Sequence, residues 1–138
     1  MPISDDLRAV EGFLSAMELY PPDSVLWAQA VAQAWDMRRQ AAPCGSKDIF
    51  CDCERCAVLP EKPAWMRSPQ ALVAMAERVV AAEREDGDAW RMHAAAYTYI
   101  ASKSWLQAAN MFGDKGDKKA DCEENARVCT ESLRRGDH

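Results

Sequence analysis

The stretch PCGSKDIFCDCERCAVLP, residues 43–60, interrupts a chain that otherwise has the apolar periodicity of helices. It holds four of the six cysteines, within thirteen residues: Cys44, Cys51, Cys53 and Cys56. Residues 43–67 as a whole contain three prolines and no sustained apolar spacing. A connector this long without secondary structure is uncommon in a compact domain unless it is functional, disordered or held by something. The cysteines supply a means of holding it.

The number and type of these side chains predict a metal site. Four thiolates suit a closed tetrahedral zinc site, and thiolate ligands select zinc, copper(I) or iron–sulfur over magnesium and calcium. Cys53 and Cys56 have the two-residue gap of zinc knuckles, and Gly45 allows a sharp turn beside Cys44. We therefore predict one structural Zn²⁺ per chain, with these ligands: Cys44, Cys51, Cys53 and Cys56.

Other readings of the cysteines remain open. The four thiols of the connector could be reduced and partly buried, paired as disulfides, or ligands of an iron–sulfur cluster, although ferredoxin spacings are absent. Cys122 and Cys129 lie two helical turns apart on one face, as small buried hydrophobes do. The alternative is that one of these two replaces a member of the cluster as a ligand.

Composition favours one helical domain. The chain has 138 residues, of which 49% are apolar and only 6 are glycine, which fits a single domain over residues 1–138. The net charge of −5 argues against general binding to a phosphate backbone. No leader segment or membrane-spanning run is visible in the sequence. We therefore expect a cytoplasmic protein with no membrane partner. Thiols stay reduced there, so clustered cysteines point to metal more than to disulfides.

Two helices are predicted before the connector. Ser4 can cap the first, which carries apolar residues at spacings of three and four and ends at Pro21 and Pro22. Asp23 or Ser24 can cap the second, which is predicted to run to about residue 42. Its apolar face contains two tryptophans and three small or branched residues: Trp27, Ala30, Val31, Ala34 and Trp35.

Three or four helices are predicted after the connector. Ser68 and Pro69 begin the third, which Gly87 is expected to end. Asp88 is expected to cap a fourth, with a buried stripe of Trp90, Ala94, Tyr97, Ile100 and Ala101. A short fifth helix is predicted over 105–112, a turn over 113–119, and a sixth helix over about 120–134. Residues 135–138 are expected to fray. The predicted fold is an all-α bundle of five or six helices.

Two segments echo each other within these helices. Both DSVLWAQAVAQA, residues 23–34, and DGDAWRMHAAAY, residues 86–97, place an acidic residue four positions before a tryptophan. The second resembles the first helix of a tetratricopeptide unit, and Ala108 and Phe112 resemble the small and aromatic positions of that family's second helix. The resemblance covers about residues 88–112. It implies a helical hairpin that binds a protein partner and does not catalyse a reaction.

The function predicted from these features is a non-enzymatic protein-interaction module, an adaptor or accessory subunit that binds another protein. The sequence contains no arrangement of nucleophile, histidine and acid that predicts a catalytic site. Trp65, Arg55 and Lys62 in the connector are candidate partner-binding residues. Two alternatives are a nucleic-acid-associated regulator that uses the basic cysteine loop, and a thiol-based metal or redox sensor. A zinc ion with four thiolates carries a charge of about −2, which cancels the loop's small basic excess.

Overall fold

A computed structural model of the chain describes residues 5–113 and 116–136. These ranges contain five α-helices and no strand. The helices are α1 (Asp5–Leu19), α2 (Val25–Gln40), α3 (Pro69–Ala82), α4 (Gly87–Phe112) and α5 (Gly116–Arg135). The connector between α2 and α3 carries two single turns of 3₁₀ helix, at Cys56–Val58 and Ala64–Met66. The predicted all-α architecture, with a cysteine cluster between the second and third helices, is confirmed.

Serine caps start two of the helices as predicted. The Oγ of Ser24 accepts a hydrogen bond from the backbone N–H of Trp27 at 3.2 Å, and Ser68 does the same for Ala71 at 3.1 Å. Each serine satisfies one of the backbone donors that a helix N-terminus leaves without a partner. The alternative cap Asp23 instead forms an ion pair with Arg78 at 2.9 Å. Ser4, the predicted cap of the first helix, lies outside the described residues.

The boundaries of α3, α4 and α5 differ from the prediction. Helix α3 ends at Ala82, and Gly87 is the first residue of α4. The cap of α4 is Asp86, whose carboxylate accepts from the backbone N–H of Asp88 at 3.0 Å, so Asp88 itself lies inside the helix. Helix α5 begins at Gly116, four residues before the predicted start, and Asp117 lies favourably in its first turn.

Helix α4 is continuous where two helices were predicted. Its 26 residues include neither proline nor glycine after Gly87, so nothing in 88–112 ends the helix. A hairpin turn is therefore absent from this segment, and the tetratricopeptide-type hairpin is not found there. The predicted fourth and fifth helices are two parts of α4.

The buried face of α4 also differs from the predicted one. The buried residues are Ala89, Met92, Ala95, Ala96, Tyr99 and Ala109. Trp90 and Tyr97 are 47% and 44% exposed, so the predicted stripe through them is not the core face. The helix has apolar residues on two faces, and the core takes the one that carries Met92.

Helix α2 lies at the centre of the bundle. It packs against α1 on one side and against α3 and α4 on the other, while α5 packs on α4. Its side chains Val31, Ala34 and Trp35 have no exposed surface, which confirms the predicted face of this helix. Helix α1 packs mainly on α2 and contributes one fully buried side chain, Val10.

The connector is anchored to the bundle at both ends by burial. Ile49 is 6% exposed and Met66 is completely buried. The hydroxyl of Tyr99 accepts a hydrogen bond from the backbone N–H of Ile49 at 2.9 Å and donates to the carboxylate of Asp48. The backbone N–H of Lys47 donates to the carbonyl of Arg134 in α5 at 2.8 Å. Apolar contacts therefore order much of a segment whose sequence shows no periodic apolar face.

The C-terminal end of α5 packs against the connector. Arg135 belongs to the helix, and Gly136 follows it with a φ of +77°. A Cβ at Gly136 would lie 2.9 Å from the Cγ of Lys47, which explains the need for glycine. Asp137 and His138, the rest of the tail expected to fray, lie outside the described residues. Among the described helices, none has the length and apolarity needed to cross a membrane.

Candidate metal centre

The connector brings the sulfur atoms of Cys44, Cys51, Cys53 and Cys56 together, all within 4.8 Å of one another. The Sγ of Cys44 lies 3.7 Å from that of Cys51 and 3.5 Å from that of Cys56. A disulfide needs about 2.05 Å, and all six cysteines are free. Four sulfurs each about 2.3 Å from one tetrahedral zinc ion would lie about 3.8 Å apart. The cluster therefore has the size and shape of a four-thiolate metal site.

Two tight turns aim the thiols at a common point. Gly45 follows Cys44 with a φ of +80°, a conformation that favours glycine, and its N–H donates to the carbonyl of Ala42 at 3.2 Å. The chain thus turns directly after α2. On the other side, the N–H of Ala57 donates to the carbonyl of Cys53 at 2.9 Å, and the N–H of Leu59 donates to that of Cys56 at 3.1 Å, which closes the 3₁₀ turn that carries Cys56.

Hydrogen bonds and burial separate the thiol pKa values. The backbone N–H of Cys56, followed by its side chain, lowers the pKa of Cys53 to about 7. Burial, followed by the hydrogen bond with Cys44, raises the pKa of Cys56 to about 12. The backbone N–H of Cys53 lowers the pKa of Cys51, but burial and the neighbouring thiols outweigh it and the net shift is upward. Metal binding requires all four as thiolates and therefore releases protons.

Two cationic side chains accompany the thiols. Arg38, Lys62, Cys51 and Cys56 line a small cavity of about 60 Å³. Burial lowers the pKa of Lys62, and the Arg38 guanidinium lowers it further. The Nζ of Lys62 donates to the carbonyl of Ile49 at 2.7 Å, which fixes its position. A metal ion with four thiolates carries net negative charge, and these two cations would offset it.

The structure gives the three candidate partner-binding residues different surroundings. Lys62 is half-buried and bonded within the connector. Trp65 is half-buried and packs on the hydrophobic core, so it holds the connector against the bundle. Arg55 is exposed, on the turn between Cys53 and Cys56.

The two cysteines of α5 do not join the cluster. Within the described part of the chain, the cluster consists of the four connector cysteines. Cys122 is buried, and Cys129 is half-buried. Cys122 is therefore packed in the interior as predicted, and neither sulfur of α5 lies with the cluster.

Sequence reasoning missed the residues that support the site. Asp48 accepts a hydrogen bond from the backbone N–H of Phe50 at 2.8 Å and another from the Tyr99 hydroxyl. The rings of Phe50 and Tyr99 meet edge to face, with centroids 4.5 Å apart. Tyr99 lies 51 positions after Asp48, and no local pattern links them.

Comparison of the chain with models of known protein families, with curated proteins and with solved structures found no match.

Proposed function

We propose that the cysteine cluster binds one structural Zn²⁺ ion through Cys44, Cys51, Cys53 and Cys56. The observation that carries this proposal is the set of sulfur separations, 3.5 and 3.7 Å among them, close to the edge of a zinc–thiolate tetrahedron. Four protein ligands leave no open coordination position for a substrate or an activated water. The ion would thus fix the connector and take no part in a reaction.

Metal analysis of the purified protein tests this proposal. Protein prepared under reducing conditions without chelator should contain one zinc per chain. Cys53→Ser and Cys56→Ser should each lose it, because a hydroxyl is a poor replacement for a thiolate. Cys129→Ser is the matched control and should retain it. Absence of stoichiometric metal would refute the site. Finding iron together with inorganic sulfide would show that the cysteines hold an iron–sulfur cluster instead of zinc.

We further propose that the chain is a non-enzymatic module that binds another protein. The support is the surface that the metal-held turn presents. Val58 is 84% exposed at the end of the 3₁₀ turn, and Arg55 is exposed at its start. An apolar and a cationic side chain on one rigid turn form a contact that a protein partner can recognise, and arginine is enriched at such contacts. Its shape would depend on the ion.

Affinity capture from the protein's own cell extract tests the module. A partner of the turn should be retained by the zinc-loaded chain and lost from both metal-free protein and Val58→Asp. Val128→Asp is a suitable control, because Val128 is 51% exposed on α5, outside the connector. A partner that binds equally well to all four proteins would show that the turn is not the contact.

A thiol-based sensor is the second candidate, favoured by one observation. The Sγ atoms of Cys44 and Cys56 are only 3.5 Å apart, and both side chains are half-exposed. Without metal, a peroxide could oxidise the two thiols to a disulfide, with reduction of the peroxide to two waters. Reversible zinc release by dilute hydrogen peroxide, with a disulfide in this pair by mass spectrometry, would support this candidate.

The nucleic-acid alternative has less support. Arg38, at the end of α2, and Lys62, in the connector, are partly buried beside the thiols, where they would offset the charge of the metal site. A phosphate backbone needs exposed cations on one face. Binding to DNA or RNA that weakens steeply with salt would restore this alternative.

A further inference from the structure

Helix α4 carries a second apolar face that the bundle covers only in part. This face, called here the α4 stripe, follows the spacing of a helix–helix seam: Trp90, Ala94, Tyr97, Ala101, Trp105, Ala108 and Phe112. The three aromatic side chains at 90, 97 and 105 are 47%, 44% and 39% exposed. The stripe contains no charged residue and runs for about 33 Å at 1.5 Å per residue. A helix that is apolar on two faces normally packs on both.

Two aromatic side chains of the stripe, Trp90 and Tyr97, are held by contacts within the chain. The ring of Trp90 meets that of His93 at 5.3 Å, and His93 meets Tyr97 at 4.8 Å between centroids. The indole N–H of Trp90 donates to the carbonyl of Arg84 at 2.9 Å, and the Tyr97 hydroxyl donates to Glu77. Such prior order lowers the entropy lost on association.

The stripe is complementary in shape to itself. Its alanines recur every seven residues, and large rings lie between them. In an antiparallel pair with the two-fold axis near residue 99, Tyr97 lies across from Ala101 of the second copy. In the same register Trp90 lies across from Ala108. Trp105 then falls close to Ala94. Each large side chain meets a small one, as close packing of two helices requires.

Charge favours the same orientation. The segment 83–88, at the start of α4, has four carboxylates and one arginine. At the other end of the stripe, the Nζ of Lys118 lies 5.6 Å from the ring centroid of Phe112. An antiparallel pair brings this ammonium near the acidic segment of the second copy. The antiparallel pair also orients the two helix dipoles in opposite directions, which is the favourable arrangement.

The exposed area is at the lower limit for a specific dimer. At the exposures given above, the three aromatic residues each offer roughly 100 Å². With Met111, which is 77% exposed, and the alanines, two copies would bury on the order of 1,000 Å² in total. This is enough for a reversible dimer and small for a permanent one.

We propose that two copies of this chain associate through their α4 stripes, antiparallel, as a reversible homodimer. This inference deepens the interaction role proposed above and rests on it, but the surface involved is remote in sequence from the cysteines. Other occupants of the stripe, such as a different protein, remain as outcomes of the test below.

Sedimentation velocity of the metal-loaded protein, from about 1 to 500 µM, tests the proposal. The sedimentation coefficient should rise from the monomer to the dimer value over this range. Ala94→Glu should raise the dissociation constant at least tenfold with unchanged helicity, because Ala94 is exposed in the monomer. The control Ala74→Glu, on an exposed site of α3, should leave it unchanged. A monomer at 500 µM would overturn the proposal and leave the stripe to another protein.

A mixing experiment tests the orientation. Ala101→Glu and Tyr97→Lys should each weaken self-association, and an equimolar mixture of the two variants should recover it. The reason is that antiparallel pairing sets the new carboxylate at position 101 of one copy beside the new ammonium at position 97 of the other. A mixture no stronger than the single variants would therefore overturn the antiparallel arrangement. The metal content of both variants, measured in parallel, should stay unchanged even where the dimer is lost.

Discussion

At the scale of single residues, the tryptophans show what a local pattern can and cannot tell. Trp35 and Trp90 both stand in apolar stripes at helical spacing, and both were predicted to be buried. Trp35 is completely buried and stacks on the Arg39 guanidinium, 4.3 Å from its ring centroid, whereas Trp90 is 47% exposed. Spacing fixes which residues lie on one face of a helix, but not which of two apolar faces the core covers.

We expect Trp35→Ala to lower the free energy of unfolding by about 3–5 kcal/mol, because it leaves a large cavity between α2 and its neighbours. Trp90→Ala should lower it by less than about 1 kcal/mol in the monomer, as surface substitutions do. Urea denaturation of both variants at about 1 µM measures the difference. A large loss for Trp90→Ala would mean that its face is covered within one chain.

Tyr99 joins the connector to α4 through its hydroxyl. Tyr99→Phe should lower the free energy of unfolding by about 1–3 kcal/mol, because the buried N–H of Ile49 loses its acceptor and the Asp48 carboxylate loses a donor. Tyr97→Phe is the control, since that hydroxyl lies on the surface, and it should change stability by less than about 0.5 kcal/mol. Equal losses of unfolding free energy for the two variants in urea titrations would show that the buried hydroxyl contributes no more to stability than the exposed one.

The same residue gives a dependence on pH. Burial, followed by the Asp48 carboxylate, raises the pKa of Tyr99 above the value of 10.0 that applies to an unperturbed tyrosine. Above about pH 10 the unfolded chain therefore releases this proton before the folded one, and the stability that the raised pKa provides is lost as the pH rises. The advantage of the native protein over Tyr99→Phe should shrink between about pH 10 and pH 11. An advantage that stays constant there would contradict the upward shift.

At the scale of elements, the sequence predicts helix starts well where a side-chain cap marks them. Ser24 and Ser68 cap α2 and α3 as expected, because their signal is local: one oxygen and one backbone N–H three residues on. The start of α4 was misassigned by two residues because the segment 86–88 offers two aspartates around a glycine. The length of α4 was underestimated, since two helices were predicted over a segment that no proline or glycine interrupts.

The continuity of α4 can be tested by a helix breaker. Ser104→Pro should lower the free energy of unfolding by about 3 kcal/mol, because proline in a helix interior removes a hydrogen bond and clashes with the preceding turn. Ser104→Ala should be neutral or slightly stabilising, since the side chain is exposed. Thermal unfolding followed by circular dichroism compares the two. If Ser104→Pro were as stable as Ser104→Ala, a turn would lie here after all.

At the scale of the whole molecule, the cysteine ligand set could be proposed from sequence because its four members lie within thirteen residues. The way in which the bundle holds that set could not, because it depends on pairs far apart in the chain. Tyr99 contacts Asp48, and the carbonyl of Arg134 accepts from Lys47. These contacts exist only once the helices have packed, and no periodicity encodes them.

The same contacts limit what metal removal can do. Ile49 and Met66 are buried in the hydrophobic core of the helices, so we expect only the segment between them to loosen when a chelator removes the metal. We expect trypsin to cleave metal-free protein after Arg55, while helicity changes little. Cleavage after Arg67, next to buried Met66, should not increase. Protection of Arg55 in both states, shown by mass spectrometry of the fragments, would mean that the metal does not order this turn.

Helix α1 packs mainly on α2 and has one fully buried side chain, Val10, while the metal centre takes its support from α2, α4 and α5. Its 15 residues can therefore detach as a separate cooperative unit, at a lower opening free energy than global unfolding. Amide hydrogens of α1 should exchange with deuterium at least tenfold faster than those in the middle of α2, whether or not metal is bound. Equal protection in the two helices would mean that α1 opens only with the whole bundle. If α1 exchanges faster, as expected, the molecule consists of a stable part that contains the cysteine cluster and one helix that detaches and refolds reversibly.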